Sequence, residues 1–137
     1  MKVLVVEDDP NLGSLWERVL LEAGHEVLQT ASETGAARLL ETRPFDLVVL
    51  DMCINGRDAR GISLLATYRN PTCKVVIVSG SSNFSRKALF AMSPAVSAAL
   101  RKPVDIEDLL EVCHLVSGTD RRLPIQTVDG GGIEFRT

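Results

Sequence analysis

The sequence predicts an α/β fold, a doubly wound five-stranded parallel sheet with helices on both faces. Three observations predict it. Short β-branched runs such as Val3-Leu4-Val5-Val6, Asp46-Leu47-Val48-Val49-Leu50 and Lys74 to Val78 read as strands buried on both sides. Segments with apolar residues at three- and four-residue spacing alternate with those runs. Glycine, proline and short polar residues separate the two kinds of segment.

Each element has its own reason. After the first strand, Pro10 suits the first turn of a helix. Leu12, Leu15, Trp16, Val19 and Leu20 form that helix's apolar stripe, and Gly24 stops it. Trp16 is most simply a packing residue. Glu26 to Thr30 makes a weaker second strand. Ser32 can cap the next helix, which carries Ala36, Ala37, Leu39 and Leu40 and ends at Pro44. The Asp46–Leu50 strand follows. Asn55 to Gly61 reads as a glycine- and charge-containing loop before a helix through Ile62, Leu64, Leu65 and Tyr68. Asn70-Pro71 marks a turn, and Lys74 to Val78 is the fourth strand. The polar turn from Ser79 to Asn83 leads into a helix around Arg86 to Met92. Val96 to Arg101 is the fifth strand. Asp105 caps a last helix with Ile106, Leu109, Leu110, Cys113 and Val116 on one face.

The chain has 137 residues, 45% of them hydrophobic, enough for one core. A formal net charge of −3 carries no nucleic-acid footprint. No apolar run approaches a membrane span, and the N-terminus enters a strand without a signal-peptide pattern. Cys53, Cys73 and Cys113 are odd in number and far apart, as reduced thiols of a cytoplasmic protein would be. His25 and His114 lack zinc-ligand spacing and read as surface residues. Residues 1–117 are expected to form the domain. Residues 118–137 are expected to be a tail, either flexible or a short added strand or hairpin, with Gly130-Gly131-Gly132 between Leu123–Val128 and Ile133–Phe135.

In an open α/β sheet, chemistry collects at the carboxyl ends of the strands. Here those ends deliver Glu7 and Asp8, then Asp51, then Ser79, then Lys102. Carboxylates held close repel one another, and some stay protonated without a counter-charge. A hard divalent cation such as Mg²⁺ relieves that repulsion and prefers oxygen ligands. Taken alone, each residue has a plainer use. An aspartate after a strand is usually a cap or turn residue, Ser79 a turn residue, and Lys102 a solvated lysine. Asp9 reads as a first-turn helix acid.

Taken together and in order, these motifs resemble the receiver domain of two-component response regulators. The matching stretches are Val-Leu-Val-Val-Glu-Asp-Asp-Pro at 3–10, Asp-Leu-Val-Val-Leu-Asp at 46–51, Val-Val-Ile-Val-Ser-Gly at 75–80 and Arg-Lys-Pro at 101–103. The resemblance covers about residues 2 to 117. It implies a flavodoxin-like sheet of strand order 2-1-3-4-5 in residues 1–117. It implies that Asp51 is the phospho-acceptor, a carboxylate nucleophile. Glu7, Asp8 and Asp51 would hold Mg²⁺, with the backbone carbonyl of Cys53 as a further ligand. Lys102 would pair with the phosphoryl oxygens and Ser79 would donate to them, with Gly80 leaving room. Lys102-Pro103 would be a cis peptide. The implied partners are a histidine kinase or histidine phosphotransfer protein as donor and a downstream protein target. Direct nucleic-acid binding and membrane binding are not expected, and the chain would be a monomer or weak dimer. No turnover is expected beyond loss of its own phosphate. About 20 residues after the last helix are too few for an effector domain, so output by protein contact is expected, through the fourth helix, fifth strand and fifth helix.

The sequence departs from the family at three places. Ala99 stands where an aromatic residue usually reports phosphorylation by swinging inward, a movement alanine cannot make. Asn55 stands where proline is typical, and Gly61 lies further from Asp51 than usual, so the loop between them is lengthened. These departures motivate an alternative, a receiver-like protein-binding module that acts without phosphorylation. A phosphohydrolase working through an aspartyl phosphate would need a second acid near the nucleophile, and position 53 is Cys. A flavin carrier would place its phosphate against Glu7, Asp8 and Asp9, which repel it.

Overall fold

A computed structural model describes residues 1–80, 86–91, 93–117 and 133–135. Strand β1 (Lys2–Val6) leads into helix α1 (Pro10–Glu22), then β2 (Glu26–Thr30), α2 (Glu33–Thr42) and β3 (Leu47–Asp51). Two short strands follow, β4 (Cys53–Ile54) and β5 (Arg57–Asp58), before α3 (Arg60–Arg69). The chain continues through β6 (Lys74–Ser79), α4 (Arg86–Phe90), β7 (Val96–Arg101) and α5 (Ile106–Ser117) to β8 (Ile133–Phe135).

The main sheet has the order β2-β1-β3-β6-β7-β8. Its first five strands pair in parallel, so the parallel strands follow the predicted order 2-1-3-4-5. The sixth, β8, pairs antiparallel with β7, placing Ile133 opposite Leu100 and Phe135 opposite Ala98. Residues 118–132, which include the Leu123–Val128 half of the expected hairpin, lie outside the described residues. So do Ser81 to Asn83 of the polar turn and Met92.

Strand side chains alternate between faces, and the cores record this. On one face Leu4, Val6, Val48, Leu50, Val75 and Ile77 pack with Ala36 and Leu40 of α2 and Ile62 and Ala66 of α3. On the other, Val3, Val5, Leu47, Val49, Val76, Val78 and Leu100 pack with Trp16 and Leu20 of α1 and Leu109, Val112 and Cys113 of α5. Each valine, leucine or isoleucine among them, fully buried, contributes about 1.5–3 kcal/mol. The two-sided burial explains why β1, β3 and β6 read as unbroken apolar runs.

The helix ends follow the expected chemistry. Asp9 is the N-cap of α1, its carboxylate accepting from Asn11 and Leu12 N–H, with Pro10 in the first turn. Gly24, just past the helix, has φ +97°, a left-handed value that glycine adopts without strain. Ser32 Oγ accepts the Gly35 N–H at 3.0 Å to cap α2. Asp105 Oδ1 accepts the Glu107 N–H at 2.8 Å ahead of α5.

Three readings need correction. β3 runs one residue later than expected, because Asp46 is used in pairing off the strand end: its carboxylate accepts the Lys2 N–H at 2.8 Å. The 55–61 segment is not a plain loop. Asn55 (φ +52°) and Gly56 (φ +79°) turn the β4–β5 hairpin, and α3 begins at Arg60. Two consecutive positive φ values are the geometry that Asn-Gly favours between short strands. On α3, Leu64 and Tyr68 are 49% and 80% exposed, while Ile62, Ser63 and Ala66 turn inward. The small Ser63 is accommodated there because its hydroxyl meets that of Ser93 at 2.7 Å. His25 is half-buried rather than on the surface, with Nδ1 3.5 Å from the Met1 ammonium. Burial, the ammonium and His114 all lower its pKa.

Candidate functional site

The strand register brings the predicted residues to one end of the sheet. β1 ends at Val6, directly before Glu7 and Asp8, and Val6 lies beside Leu50 of β3. Asp51 closes β3 beside Val78, and Ser79 closes β6 beside Arg101 of β7. Lys102 follows, its N–H bonded to the Ser79 carbonyl at 3.0 Å. The Lys102-Pro103 peptide is cis.

Glu7 is fully buried, and Asp51 and Ser79 are nearly so. Lys102 Nζ reaches in to Asp51 Oδ2 at 2.9 Å and to Glu7 Oε2 at 3.2 Å. One oxygen of each carboxylate accepts a backbone N–H. Asp9 donates to Glu7 Oε1 at 3.0 Å and Cys53 to Asp51 Oδ1 at 3.2 Å. Asn55 donates to Asp8 Oδ2 at 2.9 Å. The first two donors come from two residues along the chain, and the third crosses from the hairpin.

The electrostatics are those of an anionic pocket. Burial pushes the Glu7 carboxyl up to about 7; the Asp9 N–H opposes this and Asp51 adds to it. The Asn55 N–H holds Asp8 below the usual aspartate range. Burial works against the Lys102 ammonium, but Asp51 and Glu7 outweigh it and raise its pKa.

The residues present fit a divalent cation. Oxygens of Glu7, Asp8 and Asp51 all lie within 4.8 Å of one another. Glu7 Oε2 is buried and accepts no hydrogen bond; Lys102 Nζ lies 3.2 Å from it as an ion pair and donates to Oε1 at 3.4 Å. Three carboxylates facing one ammonium leave negative charge that a hard cation balances. Gly80 fits as well: a Cβ there would meet Lys102 Cδ at 3.5 Å, an ordinary contact, so Gly80 borders the lysine stem without being sterically required. Asp9 stays with the helix, though as the N-cap of α1 rather than as the first-turn acid the sequence suggested.

Reading the sequence missed the Asn55–Asp8 bond. The Asn-Gly pair at 55–56 could have signalled the hairpin, though not where its turn would dock.

The family model for the response regulator receiver domain matches residues 3–114. The chain belongs to this family. A receiver domain is a phospho-accepting relay module of two-component signalling, not a turnover enzyme, and the acid cluster of Glu7, Asp8 and Asp51 could hold a divalent metal. The response regulator protein FleR of Pseudomonas aeruginosa is 32% identical over 111 residues, covering 81% of this chain and 23% of FleR. The transcriptional regulatory protein TorR of Escherichia coli is 26% identical over 109 residues, covering 79% of this chain and 46% of TorR. This receiver chain thus spans less than half the length of these relatives. A receiver domain structure from Methanospirillum hungatei matches with a TM-score of 0.73 at 25% identity, covering 82% of this chain and 89% of that one. A Burkholderia pseudomallei response regulator with a phosphorylated aspartic acid, a calcium ion and citrate matches in fold, with a TM-score of 0.70 at 18% identity over 80% of this chain and 64% of that one.

Proposed function

We propose that Asp51 is the phospho-acceptor and that the phosphoryl group comes from a phosphohistidine on a kinase or phosphotransfer protein. The observation that carries this reading is Asp51 itself, buried at a strand end with its two oxygens held by Lys102 and the Cys53 N–H. A carboxylate oxygen attacks phosphorus, the phosphorus–nitrogen bond breaks, and the histidine leaves with the electron pair. Glu7, Asp8, Asp51 and the Cys53 carbonyl would hold Mg²⁺, which supplies charge neutralisation between the acceptor and the incoming phosphoryl group. Lys102 orients Asp51 and pairs with phosphoryl oxygens. Ser79, buried at the end of β6, donates to the same group.

Residues 1–117 make the receiver, and 118–137 are an appendage that includes β8. The output is a changed protein-binding surface at α4, β7 and α5, read by a downstream protein. A cytoplasmic setting suits Cys53, Cys73 and Cys113, none of them in a disulfide. No helix among the described residues is long and apolar enough to cross a membrane.

One observation favours a second reading, signalling without phosphorylation. Ala99 is 5% exposed and packed in the core, so position 99 carries no side chain able to swing. The test is incubation with a small phosphodonor and Mg²⁺, read by intact mass beside Asp51→Asn. Under the first reading the wild type gains one phosphate, lost on chelation or in Asp51→Asn. An unlabelled wild type, under conditions that label another receiver, supports the second.

A further inference from the structure

We infer that the backbone N–H of Asn55 is a positioning group for the cation site, fixing the Asp8 carboxylate in its orientation toward Glu7 and Asp51; this rests on the proposed reading of the acids as cation ligands. The three carboxylates are not secured alike. Glu7 and Asp51 each take an N–H from two residues further on, a contact that comes with the local turn. Asp8 takes its N–H from Asn55, 2.9 Å away across a sequence separation of 47. That bond exists because a separate element delivers it.

The hairpin is built to make the delivery. Ile54 is fully buried and pairs with Arg57, and the Ala59 N–H bonds to the Met52 carbonyl at 2.8 Å, so the base of the hairpin is fixed. The left-handed turn at Asn55 and Gly56 directs the Asn55 N–H outward to Asp8 rather than into the ladder. The Asn55 side-chain amide donates to the Ala31 carbonyl at 3.5 Å, tying the turn to the loop after β2. One turn thus bridges the loops that follow β1 and β2.

With Oδ2 accepting the Asn55 N–H, the Asp8 carboxylate is held in a defined orientation, with an oxygen within 4.8 Å of those of Glu7 and Asp51. Groups that orient a metal's ligands commonly account for about 10–100-fold of its affinity. Proline at 55 has no N–H and cannot adopt the positive φ. Glycine keeps both the N–H and the conformation and removes only the side chain. The pair therefore separates the backbone donor from the residue's other contacts.

The experiment is Mg²⁺ binding to the full chain by calorimetry, with thermal unfolding of each variant without cation. Asn55→Gly is expected to bind within about threefold of wild type, while Asn55→Pro binds about 10–100-fold more weakly with its fold retained. Equal affinity in wild type and folded Asn55→Pro overturns the inference and leaves the cation site standing. Absence of Mg²⁺ binding in the wild type overturns the site reading and the inference together. Should Asn55→Pro fail to fold, the wild-type Asn55 amide decides by NMR. A downfield amide proton that loses its shift in Asp8→Asn and responds to Mg²⁺ supports the inference. An amide indifferent to both overturns it.

Discussion

Glu7 is a carboxyl group placed where its charge is poorly tolerated. Burial raises its pKa from 4.5 to about 7. Within that window the folded protein holds a proton that the unfolded chain has released, so stability falls as pH rises. The contribution is whole below about 4.5 and lost above about 7. A divalent cation favours the ionised form and reverses the trend. His25 runs the other way: its lowered pKa makes stability fall as pH drops below 6.5. Comparison with Glu7→Gln isolates the carboxyl. Without cation, urea unfolding should show Glu7→Gln about 1 kcal/mol more stable than wild type at pH near 8 and little different near 5, because a buried charge is replaced by a neutral isostere. Mg²⁺ should stabilise the wild type and leave Glu7→Gln nearly unmoved. A wild type more stable than Glu7→Gln in the alkaline, cation-free state would contradict the account.

The helices and strands were legible where local chemistry decides them. Asp9 and Pro10 announce α1, Ser32 announces α2, and Gly24 ends the first helix through its left-handed φ. Asp9→Ala should cost about 1 kcal/mol in chemical denaturation with an unchanged denaturant slope, as loss of a single N-cap does. An unaltered midpoint would mean that the cap bonds to Asn11 and Leu12 are replaced by water at no cost. Legibility failed where a distant partner decides. The α3 residues did not sort by face: Ile62 and Ala66 meet the sheet side while Leu64 and Tyr68 are exposed, and apolar character alone carries no label of direction. The same holds for the Asn55 turn. Its hairpin could be read from two residues, whereas its contact with Asp8 spans 47 residues of sequence and has no local signal.

At the scale of the molecule, the sequence contained the parallel sheet, its order by resemblance, and the acids, hydroxyl and lysine that share its carboxyl edge. It offered an added strand at Ile133–Phe135 only as one alternative to a flexible tail and did not name β7 as its partner, since three residues beyond a glycine run have no periodicity to read. That strand matters to the sheet margin. Ile133 is 4% exposed and packs with Leu100, Leu109, Val112 and Cys113. Deleting residues 130–137 should cost up to about 1.5–3 kcal/mol and leave the outer edge of β7 unpaired, a template for self-association seen in sedimentation velocity. Cys113, whose thiol burial pushes up to about 12, should then react faster with a thiol reagent. A truncated chain that stays monomeric, equally stable and equally unreactive would show that β8 contributes nothing to the margin. The sole tryptophan has a practical consequence of its own. Trp16 is 1% exposed beneath α1, among Val5, Val49 and Leu20, on the face of the sheet that α1 and α5 cover. Its ring is already out of water in the native protein, so its ultraviolet emission should shift to the red when that face opens. The chain therefore carries its own optical gauge of unfolding, and melting curves can be recorded on it without attaching a dye.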